Sequence, residues 1–177
     1  MKGRWASGIE PRNFTWIIKG RLAVCERPGG YARNHRKIRR TEEITWIREH
    51  GFRRVVSLLA SPHNLHAYEE LGVQAEHRPL RQADNEDAFL VELLPELHGW
   101  LNGGEMLVVH HEEFGDVIMG VLASYLLYSR LLPDAPQVIV AAERLAGKPL
   151  GPMGREFVGR TAALIQRGAL VPPAARS

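Results

Sequence analysis

The chain has 177 residues, of which 45% are apolar and 24% are charged, and its formal net charge is +3. This make-up predicts one globular domain over 1–177, with a core at about 14–168 and flexible tails at 1–12 and 169–177. No stretch approaches the roughly 20 uninterrupted apolar residues of a bilayer-spanning helix, and the first residues lack the apolar run of a secretory signal, so we expect a cytoplasmic protein without membrane contact. The single cysteine, Cys25, excludes an internal disulfide and a cysteine-rich metal site.

The first elements along the chain are a hairpin and a basic segment. Two β-rich runs, 14–18 and 21–24, flank Lys19-Gly20 and predict a β-hairpin. The first 54 residues hold 14 basic and 5 acidic side chains, against 9 and 15 in the rest. The densest part, 33–40, could attract nucleic acid or a phosphorylated surface. Because no aromatic residue interleaves with the charges, we favour a solvated loop. Its candidate anion-binding or partner-binding residues are Arg33, Arg36, Lys37, Arg39 and Arg40.

Strands and helices then alternate to the end of the chain. Continuous apolar runs predict strands at 55–59 and 106–109, and a further strand is predicted at 73–79 between them. Caps and breakers predict helices at 41–50 with Thr41 as N-cap, 61–71 with Ser61 as N-cap, 88–102, 117–132, after Asp134, and 152–167. This alternation predicts an α/β fold of three layers, with a mostly parallel sheet of about four or five strands and helices on both faces. The carboxyl ends of the strands should bring 60–66, 80–87 and 110–116 to one crevice.

Four segments carry a family resemblance. They are VVSLL, GV…HRPLRQADNEDAF, GEMLVVHHEEFGDVIMGVLASYLL and GKPLGPMGREFV, at 55–59, 72–89, 104–127 and 147–158. In this order they resemble the cysteine-dependent protein tyrosine phosphatases, and among these the small dual-specificity phosphatases. The resemblance covers residues 14–165 and implies the three-layer α/β fold of that family.

The resemblance also implies a chemistry whose essential residues are replaced here. The family's reaction needs a thiolate nucleophile, an arginine whose fork binds phosphoryl oxygens, and an aspartic acid that protonates the leaving oxygen. By position, His110 matches the family's histidine, His111 stands where the cysteine belongs, and Val117 stands where the arginine belongs. Asp84 and Asp87 are the candidates for the acid, although a solvated turn cap before the next helix is the favoured interpretation.

Acidic side chains further alter this degenerate loop. Glu112, Glu113 and Asp116 add up to three negative charges where the family binds a phosphate dianion. Unit charges about 4 Å apart repel by about 4 kcal/mol at an effective dielectric near 20, which exceeds the roughly 0.3–1 kcal/mol from a helix dipole. We therefore expect no phosphate binding in this loop. Its members are His110, Glu112, Glu113, Phe114, Gly115 and Asp116.

Two other interpretations keep the crevice catalytic. In one, His111 is a nucleophile that forms a phosphohistidine. In the other, a divalent metal such as zinc binds imidazole and carboxylate ligands, because His63 and His66 would share one face at the start of a helix. The metal set would be His63, His66, His111 and Glu112. We favour ordinary surface histidines with His110 buried and bonded to backbone, and we expect no cofactor.

The sequence thus favours a catalytically inactive phosphatase-like protein, a pseudophosphatase, which acts as a cytoplasmic binding or regulatory module. An acidic groove beside a basic segment would suit a protein partner of opposite polarity or a second copy of this chain. Nucleic acid is a further candidate partner, through 33–40. The alternative function is an active hydrolase that uses His111 or a bound divalent metal.

Overall fold

The computed structural model describes residues 7–30, 36–80 and 85–175. The chain divides into two compact units, which comprise 1–81 with 100–114 and 82–99 with 115–177. We call them the first and the second unit. Within the described ranges, no helix combines the length and the apolar character that a membrane crossing requires.

The first unit contains a five-stranded sheet. Its strands are β1 (Thr15–Ile18), β2 (Leu22–Glu26), β3 (Arg54–Ser57), β4 (Gln74–His77) and β5 (Leu107–His111). Their spatial order is β1-β2-β5-β3-β4; β1 and β2 form the predicted antiparallel hairpin, and all other neighbours are parallel. Central strands of a parallel sheet are covered on both faces, and β2 and β5 are accordingly buried along their length except at His111, which is half-buried. The predicted α/β class with a mostly parallel sheet is confirmed.

An aromatic cluster closes one end of the first unit's core. Phe14 and Trp46 meet edge to face with ring centroids 4.9 Å apart, and Trp16 stacks on Phe52 at 5.4 Å. These rings lie against fully buried aliphatic side chains of β3, β5 and the first helix. Contacts of this kind between large apolar side chains stabilise the sheet from which the candidate site projects.

Two helices of the first unit begin at other residues than predicted. Helix α1 spans Lys37–Glu49 and begins after the extended Arg36, so Thr41 is not its N-cap. The Thr41 hydroxyl instead donates to the carbonyl of Lys37 inside the helix. Helix α2 is only His66–Glu70, because Asn64 has a left-handed backbone (φ 66°) that no helix tolerates. The segment 37–40 is therefore helical rather than a loop.

Helices make up the described part of the second unit. Helix α3 (Glu86–Asn102) contributes residues to both units, and α4 (Asp116–Tyr128), α5 (Ala135–Ala146) and α6 (Pro152–Gln166) follow. Asp134 caps α5, as predicted, by accepting a hydrogen bond from the Gln137 N–H at 2.9 Å. Beyond α6, Leu170 is still buried, which extends the packed part of the chain past 168.

Helices α4 and α6 approach each other closely at two glycines. A Cβ placed on Gly120 would lie 2.4 Å from the Cα of Gly154, so neither position has room for a side chain. The carboxylate of Asp116 adds a polar contact at the same end of the pair. It accepts hydrogen bonds from the N–H groups of Gly151 (2.6 Å) and Gly154 (2.9 Å), at the N-terminus of α6.

Candidate functional site

The degenerate loop follows the carboxyl end of a central strand of the sheet. Strand β5 ends at His111, and α4 begins at Asp116. In the first unit, the register pairs His110 with Cys25 of β2 and with Ser57 of β3, so the carboxyl ends of three parallel strands lie side by side. This is the edge at which α/β sheets place their functional groups.

His110 is buried in the first unit and uncharged. Only 1% of it is exposed, and its Nε2 forms a 3.3 Å hydrogen bond with the Tyr68 hydroxyl. The pKa of His110 is lowered to about 3, mainly by burial and in smaller part by the nearby Arg27, His111 and His77. We expected a backbone partner for this ring; the partner is the Tyr68 side chain.

His111, which the resemblance aligns with the nucleophile of the family, is a partly buried imidazole at the end of β5. Burial lowers its pKa, and the carboxylates of Glu112 and Glu113 oppose that shift. Because side chains alternate along a strand, His111 and His110 project from opposite faces of β5. The backbone carbonyl of His111 accepts a hydrogen bond from the Arg27 N–H at 3.0 Å, which fixes the end of β5 to the residue after β2.

Two of the loop carboxylates have polar partners within their own units. Glu112 forms an ion pair with Arg27 at 3.3 Å, within the first unit. Asp116 belongs to the second unit, where both its oxygens accept N–H groups of α6. Asp116 therefore serves as a cap for α6, a role that the sequence did not predict.

The position expected to hold an arginine lies on α4. Val117 is in the first turn of that helix, and Gly115 is its N-cap residue with an extended backbone and no side-chain cap. Phe114, just before Gly115, is partly buried. An isopropyl group at Val117 offers no hydrogen-bond donor, so it cannot replace the fork of a guanidinium.

The two candidate acids have different outcomes. Asp84 lies outside the described residues. Asp87 lies in the first turn of α3, where its oxygens pair with Arg160 at 3.2 Å and Arg167 at 3.0 Å. The predicted turn cap before this helix is provided by Asn85, whose side-chain oxygen accepts from the Ala88 N–H. These ion pairs engage both oxygens of Asp87 within the second unit.

The structure does not assemble the predicted metal ligands. His63 precedes α2 and is exposed, while His66 is the first residue of that helix, so the expected shared helix face does not exist. Throughout 7–30, 36–80 and 85–175, no three His, Cys, Asp or Glu side chains are grouped so that they could hold an ion.

The only cysteine lies beside β5 in space, although it is distant in sequence. Cys25 is opposite His110 in the β2–β5 ladder and has no exposed surface. Burial raises the pKa of the Cys25 thiol well above its usual value, and the charges of Glu43 and Glu26 raise it further. A protonated thiol inside the core is not a nucleophile.

The basic residues at the start of α1 differ in exposure: Arg36 and Lys37 are exposed, as expected of a solvated segment, whereas Arg39 is half-buried and Arg40 is buried. Arg33 lies outside the described residues, and Arg36 and Lys37 flank the first turn of the helix. Arg39 pairs with the buried Glu43 at 2.7 Å, and Arg40 is only 8% exposed. Sequence reasoning did not single out Arg27 and Tyr68, which lie near Arg40; the Gly-Gly pair after Arg27, which breaks the strand pattern, was the only local signal.

Comparison with solved structures identifies the fold. Kinase associated phosphatase (KAP), with its catalytic-site cysteine replaced by serine, matches 93% of this chain over 98% of its own, with 18% identity and a TM-score of 0.71. Tk-PTP in its active form matches 85% over 97%, with 20% identity and a TM-score of 0.68. Human DUSP28 matches 89% over 99%, with 14% identity and a TM-score of 0.65. The chain has the protein tyrosine phosphatase fold.

The likeness is one of architecture. No family model matches the chain, and no curated protein is detectably similar to it in sequence. At 20% identity or less, these structures establish the protein tyrosine phosphatase fold alone, and the chemistry has to be argued from the residues of this chain.

Proposed function

We propose that this protein is a pseudophosphatase, a phosphatase-fold protein without phosphatase activity that acts by binding. The observation that carries the proposal is the placement of the only thiol. Cys25 is buried in β2 with a raised pKa, while His111, the last residue of β5, stands at the nucleophile position. KAP is described as having a catalytic-site cysteine, which this chain lacks at the matching loop.

The remaining side chains of the loop support the same proposal. Phosphoryl transfer requires cationic groups that stabilise the charge on the equatorial oxygens. Val117 supplies none, and Glu112 and Glu113 bring negative charge instead. A neutral His111 could attack phosphorus only if another group held the phosphate in line. Asp87, a candidate acid, is already paired with two arginines.

Binding is the role that this scaffold retains. We propose a protein partner in the cytoplasm, since the fold presents both a basic helix start and an acidic loop on its first unit. Sedimentation of the chain alone tests the alternative of self-association. Sedimentation with an oligonucleotide tests nucleic-acid binding through 33–40.

A turnover assay tests the loss of catalysis. The full chain should hydrolyse an aryl phosphate no faster than a buffer blank, because it lacks both the thiolate and the guanidinium. The double substitution His111→Cys with Val117→Arg, which returns both groups to the loop, serves as the gain-of-function comparison. Cys25→Ser is the matched control, since it removes the only natural thiol without touching the loop.

Two results would contradict the proposal. Hydrolysis by the unmodified chain that disappears in His111→Ala and persists in Cys25→Ser would assign catalysis to the imidazole. Hydrolysis that a chelator abolishes and Zn²⁺ restores would assign it to a metal.

A further inference from the structure

Two arginines of the first unit line a small crevice to which the degenerate loop contributes His110. Arg27 follows β2, and Arg40 is in the first turn of α1. They line the crevice together with Tyr68 and His110, and its inner space of about 10 Å³ is that of one water molecule. We call it the arginine crevice.

The two guanidinium groups are partly removed from water. The Arg27 side chain is 16% exposed, and Arg40 is 8% exposed. Burial lowers the pKa of Arg40 and the positive charge of Arg27 contributes to the lowering, while Tyr68 and Glu70 oppose it. Two neighbouring cations in a partly desolvated crevice repel each other, and an anion between them would relieve that repulsion.

His110 adds a second, independent indication of a ligand. The ring is 1% exposed, and its Nδ1 has no hydrogen-bond partner in the described part of the chain. Burial raises the pKa of Tyr68 well above its usual value, so its hydroxyl keeps its proton and can donate to His110 Nε2. The imidazole proton then lies on Nδ1, which becomes a buried donor that requires an acceptor.

The start of α1 contributes further positive potential. Its N-cap residue, Arg36, makes no side-chain capping bond, and its first turn contains no acidic residue. A helix N-terminus carries partial positive charge, so a basic residue such as Lys37 is unfavourable in its first turn. An anion at this end of α1 would turn that unfavourable arrangement into a stabilising one.

We propose that the arginine crevice binds a phosphate group, with one oxygen between Arg27, Arg40 and His110 and the other oxygens at the opening. The inner space accommodates a single oxygen, and the arginine forks suit a tetrahedral oxyanion better than a monatomic ion. The proposal rests on the proposed function and deepens it, because it gives the binding module a ligand class. Inorganic phosphate and a phosphorylated peptide present the same group.

Glu112 is the competitor that the ligand has to displace. It pairs with Arg27 at 3.3 Å, while its own side chain is 46% exposed and can turn into solvent. Removing its charge should therefore favour phosphate. Because this ion pair joins the crevice to the loop, substitutions of its two partners should change phosphate affinity in opposite directions.

The test is calorimetric titration of the full chain with inorganic phosphate at fixed ionic strength. Arg27→Gln should weaken binding by about tenfold or more, and Glu112→Gln should strengthen it by about threefold. The matched controls are Arg53→Gln, an exposed arginine at the opposite end of β3, and Glu113→Gln, the next residue in the loop. Both should leave affinity within about twofold of the unmodified chain.

Several outcomes would overturn the proposal: no heat with inorganic phosphate, equal affinity in Arg27→Gln and Arg53→Gln, or no gain in Glu112→Gln over Glu113→Gln. If Arg27→Gln does not fold by circular dichroism, the two loop variants decide.

A phosphoserine peptide that binds more tightly than inorganic phosphate, with its unphosphorylated form inert, would identify a peptide source. Binding of single-stranded RNA that is unaffected by Arg27→Gln, with no phosphate binding, would assign the basic residues to nucleic acid instead. Hydrolytic activity of the unmodified chain would contradict the proposed function and leave these affinities unchanged.

Discussion

A buried neutral histidine makes the stability of this protein depend on pH. The pKa of His110 is about 3 in the folded protein, against an ordinary value near 6.5 in the unfolded chain. Between these values the unfolded state binds a proton that the folded state does not, so stability falls as pH falls. From pH 7 to pH 5 the free energy of unfolding should drop by about 2 kcal/mol from this residue alone.

Urea unfolding of paired variants measures that contribution. His110→Gln removes the titrating ring and should reduce the loss of stability between pH 7 and pH 5 by about 2 kcal/mol, whatever its stability at pH 7. His66→Gln, at an exposed position at the start of α2, should retain the pH dependence of the unmodified chain. An unchanged slope in His110→Gln would show that the ring is protonated in the folded state.

Some roles of single residues could be predicted from the sequence, and others could not. Asp134 as a helix cap follows from its position before Ala135-Pro136, which is local information. Asp116 as the cap of α6 could not be predicted, because its partners Gly151 and Gly154 are more than thirty residues away. Without knowledge of those distant partners, the sequence predicts only that Asp116 is a charged loop residue.

At the scale of elements, the contact between α4 and α6 depends on absent side chains. Gly120→Ala places a Cβ 2.4 Å from the Gly154 Cα, so the two helices would have to separate, and we expect a loss of about 1–3 kcal/mol in the free energy of unfolding. Gly159→Ala on α6 is the matched control, since no atom lies within 4 Å of the position that its Cβ would occupy. That substitution should stabilise by about 0.5–1 kcal/mol through the lower entropy of the unfolded chain.

Chemical denaturation of the two glycine variants checks the sign as well as the size. Equal and small effects in both would mean that α4 and α6 are further apart than described. A stabilised Gly120→Ala would be the clearest contradiction, because alanine would then be filling space that the structure does not provide.

The apolar strands were predictable, and the helix starts were less so. Strands that are buried on both faces are rich in consecutive apolar residues, as at 55–59 and 106–109. The structure has β3 and β5 overlapping those two runs. The start of α1 was misjudged because a run of arginines and lysines looks solvated. Burial of Arg40 and the pairing of Arg39 with Glu43 depend on where α1 packs.

At the scale of the whole molecule, the lone thiol reports on opening of the first unit. Reaction with a disulfide reagent requires an accessible thiolate, and Cys25 has neither exposure nor a low pKa. Labelling of the native chain at pH 8 should be at least about a thousandfold slower than in denaturant. Ser61→Cys, at an exposed position, should add one fast-reacting sulfur beside the slow one. Rapid, complete labelling of the native unmodified chain would refute the buried placement.

The order of strands and helices along the chain sufficed to predict the fold, although identity to the matching structures is 20% or less. Burial pattern and chain order survive substitutions that erase sequence similarity. The neighbours of β2 could not be predicted in the same way. That Cys25 lies beside His110 follows from pairing between β2 and β5, which are separated by about eighty residues, and no local signal records it.

The carboxylate bridge from Asp116 to α6 has a practical consequence for anyone who wishes to rebuild an enzyme on this scaffold. Of the acidic groups between His111 and Val117, Glu112 and Glu113 are the ones to neutralise alongside installing sulfur and guanidinium. Asp116 should be retained, because replacing it would remove the cap of α6 without making room for a substrate.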